Sequence, residues 1–331
     1  MAQTMTITYN GTEIYSGSGE TVTLPTGGKW LTNDVVMTLA TTYGPLENTS
    51  WDDISAASQA GTAINYWSVG DTKSVELSGT CGTLSLNTTL YCYIIGFDHN
   101  STYEGKGIHF GTWKDSSGKD LCLIDSYYGS YQSYNGTKYF QMNHWGTSSN
   151  NNTNYGGWKA CDMRYDILGS TNKAPSGYGA QKTTSAVGYD AESTTATSPV
   201  ANTLMSCLPA ALRAVMKPMT KYTDSYGNSS NVADHVTSSI DYLPLLAEFE
   251  ILGARSYAND NEKTYQAQYQ YYIDGNSKVK YRHSSTGSAA YWWERSPGCD
   301  GAYAFCLVRT RGDATYDRGS VSYGLAPAFK I

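Results

Sequence analysis

The sequence predicts an α+β fold in which a small all-β module, residues 1–45, precedes a larger mixed domain, residues 46–331, carrying long loop insertions. Three observations predict it. Strand-like runs with period-2 alternation recur along the chain, helix signals stand at only a few places, and long polar stretches rich in Gly, Ser, Thr and Asn separate them. At 331 residues the chain can hold one large domain beside a small one.

In the first module, "TMTITYNGTEIY" puts Met5, Ile7 and Tyr9 on one side of a strand and turns at Asn10-Gly11. Asn-Gly accepts the positive φ of a type I′ turn, so a hairpin is expected there. Strand-like runs follow at "TVTLP" and "DVVMTLA". So short a unit buries little apolar surface alone, and it is expected to lean on another chain or module. "TTYGPLENTS" reads as a linker.

Ser50 then stands three residues before Asp53 in "SWDDISAASQAG", a start resembling a capping box, and Gly61 closes that helix. The runs "KSVELSGT", "TLYCYIIGFDHN" and "KGIHFGTWK" read as strands. Residues 127–155 are polar and rich in Tyr and Asn, the pattern of a long insertion. A second helix is signalled by "CLPAALRAVMKPMTKY", with Pro209 in the first turn and Leu212, Val215 and Met216 as its apolar stripe. Residues 183–200 and 223–236 read as loops, and "DYLPLLAEFEILG" fits a helix or a buried strand equally. From "AAYWWERSP" to "GLAPAFKI" the chain reads as short strands joined by turns.

Composition narrows the function classes. Acidic side chains number 29 against 23 basic, a net charge of −6, and no Lys/Arg run occurs, so nucleic acid is not an expected partner. No apolar run reaches the length of a membrane span, and "MAQTMTITYNGTEIYSG" lacks the basic and apolar regions of a signal peptide. Neither membrane insertion nor secretion by that route is expected, and folding in a cytoplasm is. The 29 Tyr against 6 Phe suit a surface that meets partners, or simply a polar β-rich surface. Seven scattered cysteines without C-x-x-C spacing argue against a zinc ribbon and for reduced thiols, with a Cys299–Cys306 bridge left open.

Chemical motifs are sparse. His99, His109, His144, His235 and His283 show no metal-ligand spacing, and Asp125 and Asp162 stand without a sequence partner. Arg311-Gly312-Asp313 is too short to carry meaning. In "YWWERSP", Trp292 and Trp293 alternate, so one packs inward and the other elsewhere. Glu294 and Arg295 are expected to hydrogen-bond each other and lock a turn at Pro297. The last segment keeps a frame of small or apolar residues, namely Phe305, Cys306, Val308, Gly312, Ala314, Ser320 and Ser322. The places between them share no chemistry.

"NYGGW" (154–158), "MR" (163–164), "LP", "EFEILG", "AAYWWERSP", the Phe305-Cys306-x-Val308 run and "GLAPAF" together resemble the C-type-lectin-fold variable proteins of diversity-generating retroelements, common in phages of gut bacteria. The resemblance covers about residues 46–331 and is most specific in the final forty. "ITYNGTEI" with "LPTGGKWLTNDVVM" is similar to a small module of phage tail and tail-fibre proteins.

The resemblance implies a C-type lectin-like fold with long loop insertions and a variable region about residues 298–323. Its ligand-binding positions would be Gly298, Cys299, Asp300, Gly301, Tyr303, Ala304, Leu307, Arg309, Arg311, Asp313, Thr315, Tyr316, Asp317, Arg318, Val321 and Tyr323. Trp292, Trp293, Glu294, Arg295, Pro297, Phe305 and Phe329 would be scaffold. In such systems adenines of Asn-type codons are randomised, and the products never encode Lys, Glu, Gln, Trp or Met. None of those five occurs from Ser296 to Phe329, although Trp and Met each occur 8 times in the chain. Exposed positions on a pleated frame can change at little cost in stability.

The resemblance therefore implies receptor binding by a hypervariable surface in phage adhesion, with no catalytic residue, metal or cofactor. The partners would be a protein or glycan ligand on a bacterial surface and, through the N-terminal module, phage tail proteins. A homo-oligomer is compatible with such a module. The place of action would be the virion tail or the cell exterior. Two alternatives stay open: an oxidase resembling formylglycine-generating enzymes, which use a cysteine pair, and a bacterial surface adhesin of fixed specificity.

Overall fold

The computed structural model of the chain describes residues 43–131, 135–145 and 152–331, with the backbone of 4–9 and 12–18. Strands β1 (Thr4–Tyr9) and β2 (Thr12–Ser18) pair antiparallel, ending at Tyr9 opposite Thr12. This is the expected hairpin. Its Asn10-Gly11 turn and the runs at 21–25 and 34–40 lie outside the described residues.

Helix α1 (Trp51–Gln59) starts where Ser50 Oγ accepts the Asp53 N–H and ends at Gly61, whose φ is +68°. It buries Trp51, Ile54 and Ala57. Strands β3 (Thr72–Cys81) and β4 (Leu84–Phe97) then form a long hairpin. A single turn, α2 (Ser101–Glu104), leads to β5 (Ile108–Lys114), buried at every position. After β6 (Leu121–Cys122) comes a long irregular stretch to residue 203, broken by a π-helical turn at Arg164–Leu168. The polar insertion expected over residues 127–155 needs correcting. Its described part sends Phe140, Met142 and His144 into the interior.

Helix α3 (Leu204–Cys207) precedes α4 (Ala210–Val215), the second expected helix, with Pro209 as its N-cap and Leu212, Val215 and Met216 buried. It stops before Pro218, because a proline cannot continue it, and "MTKY" opens strand β7 (Met219–Asp224) instead. β7 pairs with β8 (Val236–Asp241). In "DYLPLLAEFEILG" the ambiguity ends in a division. Residues 242–247 are irregular and buried, and Glu248–Leu252 form helix α5, closed by Gly253 at φ +69°. Helix α6 (Gln270–Ile273) and strands β9 (Lys280–Arg282), β10 (Ser285–Ala290), β11 (Trp292–Pro297), β12 (Ala304–Val308), β13 (Ala314–Arg318) and β14 (Ala328–Lys330) complete the chain.

The class is α+β, mostly small sheets with few short helices. One sheet runs β14-β5-β4-β3, so the C-terminal strand closes the sheet begun near residue 72. A second runs β11-β12-β13, and a third β10-β9-β6. Two apolar clusters fill the interior. Trp293 belongs to one and Trp292 to the other, as alternation on one strand requires. The indole N–H of Trp292 donates to Lys278 O (3.1 Å), and that of Trp293 to Phe140 O (2.9 Å). Phe329 stacks on Phe110 with ring centres 5.0 Å apart. Among the described residues no helix is long and apolar enough to cross a membrane.

Candidate functional site

Strand β12 lies between buried β11 and the outer strand β13, whose residues are all half-buried. The β12–β13 register runs from Val308 opposite Ala314, through Leu307 opposite Thr315, to Phe305 opposite Asp317. At the turn, Arg309 N–H donates to Asp313 O (2.8 Å) and Gly312 N–H to Arg309 O (2.9 Å). Gly312 sits at φ +89°, which side-chain-bearing residues rarely adopt. The Asp313 carboxylate accepts Arg311 Nε and Nη2, both at 2.9 Å, and Arg309 Nη1 at 3.2 Å. That pairing with Arg311 holds the Asp313 carboxyl below its ordinary value. Arg309 Nη2 also donates to Thr315 Oγ1 (3.1 Å).

A groove of about 460 Å³ opens along this hairpin, lined by Tyr291, Leu307, Arg309, Thr310, Arg311, Thr315, Tyr316, Asp317 and Tyr323. The Tyr323 hydroxyl donates to Asp317 Oδ2 (2.6 Å), while its ring meets Trp293 edge-on at 5.1 Å. Burial, then the bond to Asp317, pushes that hydroxyl well above the usual tyrosine value. The Tyr316 ring meets Tyr257 edge-on at 4.9 Å.

The expected ligand positions divide. Leu307, Arg309, Arg311, Thr315, Tyr316, Asp317 and Tyr323 converge on the groove. Asp313 clamps its two arginines, Arg318 lies over the Tyr303 ring, and Asp300 is exposed beyond it. Gly298, Gly301, Ala304 and Val321 are corrected: they are buried, not outward-facing. Gly298 N–H donates to Ala304 O, so both belong to the tight connection between β11 and β12. Leu307 is buried too, at 1% exposure, and contributes the groove's floor, not a free side chain. Cys299 and Cys306 are both free thiols; Cys299 Sγ donates to Ser230 O (2.7 Å), and Cys306 is fully buried.

Tyr291 and Thr310 line the groove without having been singled out from the sequence. Tyr291 directly precedes β11, outside the strand, so strand alternation does not place it. Thr310 sits in a turn and leaves no periodic signal.

The scaffold positions are all buried, and one expectation about them fails. Arg295 does not pair with its neighbour Glu294. It reaches Glu250, with Nη2 2.8 Å from Oε1, and donates to Thr223 Oγ1 and Leu245 O. Successive strand side chains face opposite ways, so adjacent charges cannot meet. Pro297 ends β11 opposite Phe305, with the turn after it. Burial pushes the Glu294 carboxyl well above its usual value, reinforced by Glu248 and Glu262, and among the described residues neither oxygen meets a donor. Burial raises Glu262 to about 7.

His99, Glu104 and Glu250 bring ligand-type atoms within 4.8 Å of one another. The Lys221 ammonium bridges the same two carboxylates and supplies the positive charge a cation would bring. Asp162 pairs with Lys182 Nζ at 2.6 Å, and Asp125 accepts Ser322 Oγ at 2.7 Å. Beneath the hairpin, Asn154 Nδ2 donates to the carbonyls of Gly298 (3.2 Å), Gly301 (2.8 Å) and Ala304 (3.0 Å). "NYGGW" thereby staples the connection that carries the groove's central strand.

The family described as a domain of unknown function, DUF6273, matches residues 136–331, which contain every residue lining the groove. The chain belongs to that family. The DUF6273 match begins after β5, yet β14 inside it pairs with β5 outside it, so the sheet spans both parts. No curated protein and no solved structure matches the chain.

Proposed function

We propose that the chain is a receptor-binding protein of the C-type-lectin-fold, retroelement-diversified kind, whose hairpin groove recognises a ligand on a bacterial surface during phage adhesion. One observation carries this reading. Six positions assigned to ligand contact from the sequence line a single groove with Leu307 as its floor, while the frame residues Phe305, Cys306 and Val308 are buried. A surface that can be rewritten without disturbing its support needs that division. Tyr and Arg, the side chains that most often anchor binding, supply five of its nine lining residues. The tail-attachment role of the N-terminal module is part of the same proposal and rests on its resemblance to tail-fibre modules.

The oxidase alternative draws less support. Burial pushes the Cys299 thiol up to about 12 and Cys306 well above its usual value, the opposite of an activated thiol. The decisive measurement is binding of fluorescently labelled protein to host cells. Filling the groove with Thr315→Trp should abolish it while the fold is kept, and unchanged binding overturns the reading. A near-identical repeat with Asn-type codons beside a reverse transcriptase gene tests the diversification half.

A further inference from the structure

We infer that the groove's ligand is an acidic glycan, a sugar residue bearing a carboxylate, and this rests on the groove being the recognition site. Its chemistry is ordered along the hairpin. Arg309 and Arg311 stand at the turn, Leu307 and Thr315 midway, and Asp317 with Tyr323 at the base. From Asp313 to Asp317 the strand covers about 13 Å.

The two ends differ in charge. At the turn one carboxylate, Asp313, serves two guanidiniums, which leaves a positive charge unmatched. The Arg311 side chain is 71% exposed and, among the described residues, its guanidinium bonds to Asp313 alone. An exposed pair of this kind is weakly held, so the planar donor fork can turn to a ligand carboxylate at little cost. At the base, Asp317 accepts the Tyr323 hydroxyl on Oδ2 (2.6 Å) and the Arg318 N–H on Oδ1 (2.7 Å), and each oxygen keeps a further lone pair for a ligand hydroxyl.

Between the ends, the lining is hydroxyls and rings. Thr310 and Thr315 offer hydroxyls, and Tyr291, Tyr316 and Tyr323 offer ring surface. Tyrosine rings suit the C–H face of a sugar, since they combine an apolar face with a polar rim. Leu307 is the one aliphatic side chain lining the groove, and it is floor. A peptide of mixed composition would present aliphatic side chains that meet little but the Leu307 floor here, and a purely Glu/Ser peptide would leave the ring surfaces unused. A sugar acid places a carboxylate at the turn, hydroxyl donors at Asp317 and a flat face on the rings.

The test is calorimetric titration of the full chain with three probes: a linear hexuronate trimer, the neutral hexose trimer of the same linkage, and a Glu/Ser hexapeptide. The uronate trimer should bind, and about tenfold or more weaker binding is expected for the neutral trimer and for Arg311→Ala, the loss of one charge-assisted bond. Added salt should weaken the acidic probe and not the neutral one. Thr315→Trp should abolish uronate binding, with its thermal transition confirming that it folds. Equal affinity for both trimers overturns the carboxylate assignment. Tighter binding of the hexapeptide, or no uronate binding by a protein that still holds cells in a manner abolished by Thr315→Trp, overturns the glycan class alone. Cell binding untouched by Thr315→Trp overturns the underlying site.

Discussion

Arg295 and Glu250 form a two-pronged ion pair at zero exposure, Nη2 to Oε1 at 2.8 Å and Nη1 on Oε2, tying strand β11 to helix α5. Burial alone would raise the Glu250 carboxyl; the charges of Arg295 and Lys221 outweigh it and hold it well below its usual value. The pair fixes where β11, and therefore the groove, sits against the rest of the molecule.

Removing one partner leaves the other charge buried and alone. Glu250→Gln and Arg295→Met should each cost about 3–5 kcal/mol, measured as a fall in urea midpoint at constant slope. The double variant should cost less than the sum of the two.

Asn154 offers the same test for the staple beneath the hairpin. Asn154→Ala strips the amide from three carbonyls and should cost about 2 kcal/mol. Asn154→Asp should cost more, because it turns an acceptor toward acceptors. Hydrogen exchange at Gly298, whose N–H bonds to Ala304 O, should accelerate in both.

Glu294 and Glu262 make stability depend on pH with a definite sign. A carboxyl whose folded pKa is raised binds its proton more tightly folded than unfolded. Its contribution is therefore complete below the unfolded value of 4.5 and is lost as pH climbs toward the folded value. For Glu262 that window closes at about 7, and for Glu294 the loss continues higher. Within its window each group lowers stability by about 1.4 kcal/mol per pH unit. Glu294→Gln should flatten the decline and gain on the wild type as pH rises, read from urea midpoints between pH 5 and 9. A parallel displacement of the two curves would contradict it.

The hairpin's outward and inward positions should respond differently. Thr315→Ala and Arg311→Ala should move Tm by about 2 °C or less. Leu307→Ala, beneath them, should cost about 2–5 kcal/mol, since its side chain is packed in the core. Thermal melts of the three variants decide it.

Local order was legible in the sequence because it rests on neighbours. The Ser50 cap, the β1–β2 pairing, the strands at 72–114 and the helix start at Pro209 depend on contacts a few residues apart. Alternation likewise separated Trp292 from Trp293, while Arg309, Thr315 and Asp317, which the resemblance marked, meet at one groove. Period 2 says which residues share a face but not what covers that face. Ala304 and Val321 therefore read as outward, while the packing of other segments buries them. Only the tertiary structure decided that Arg295 pairs with Glu250, 45 positions away, and that Glu294 meets no donor among the described residues. Such partners are chosen by which elements the folded chain brings together, and no short window of residues contains that choice.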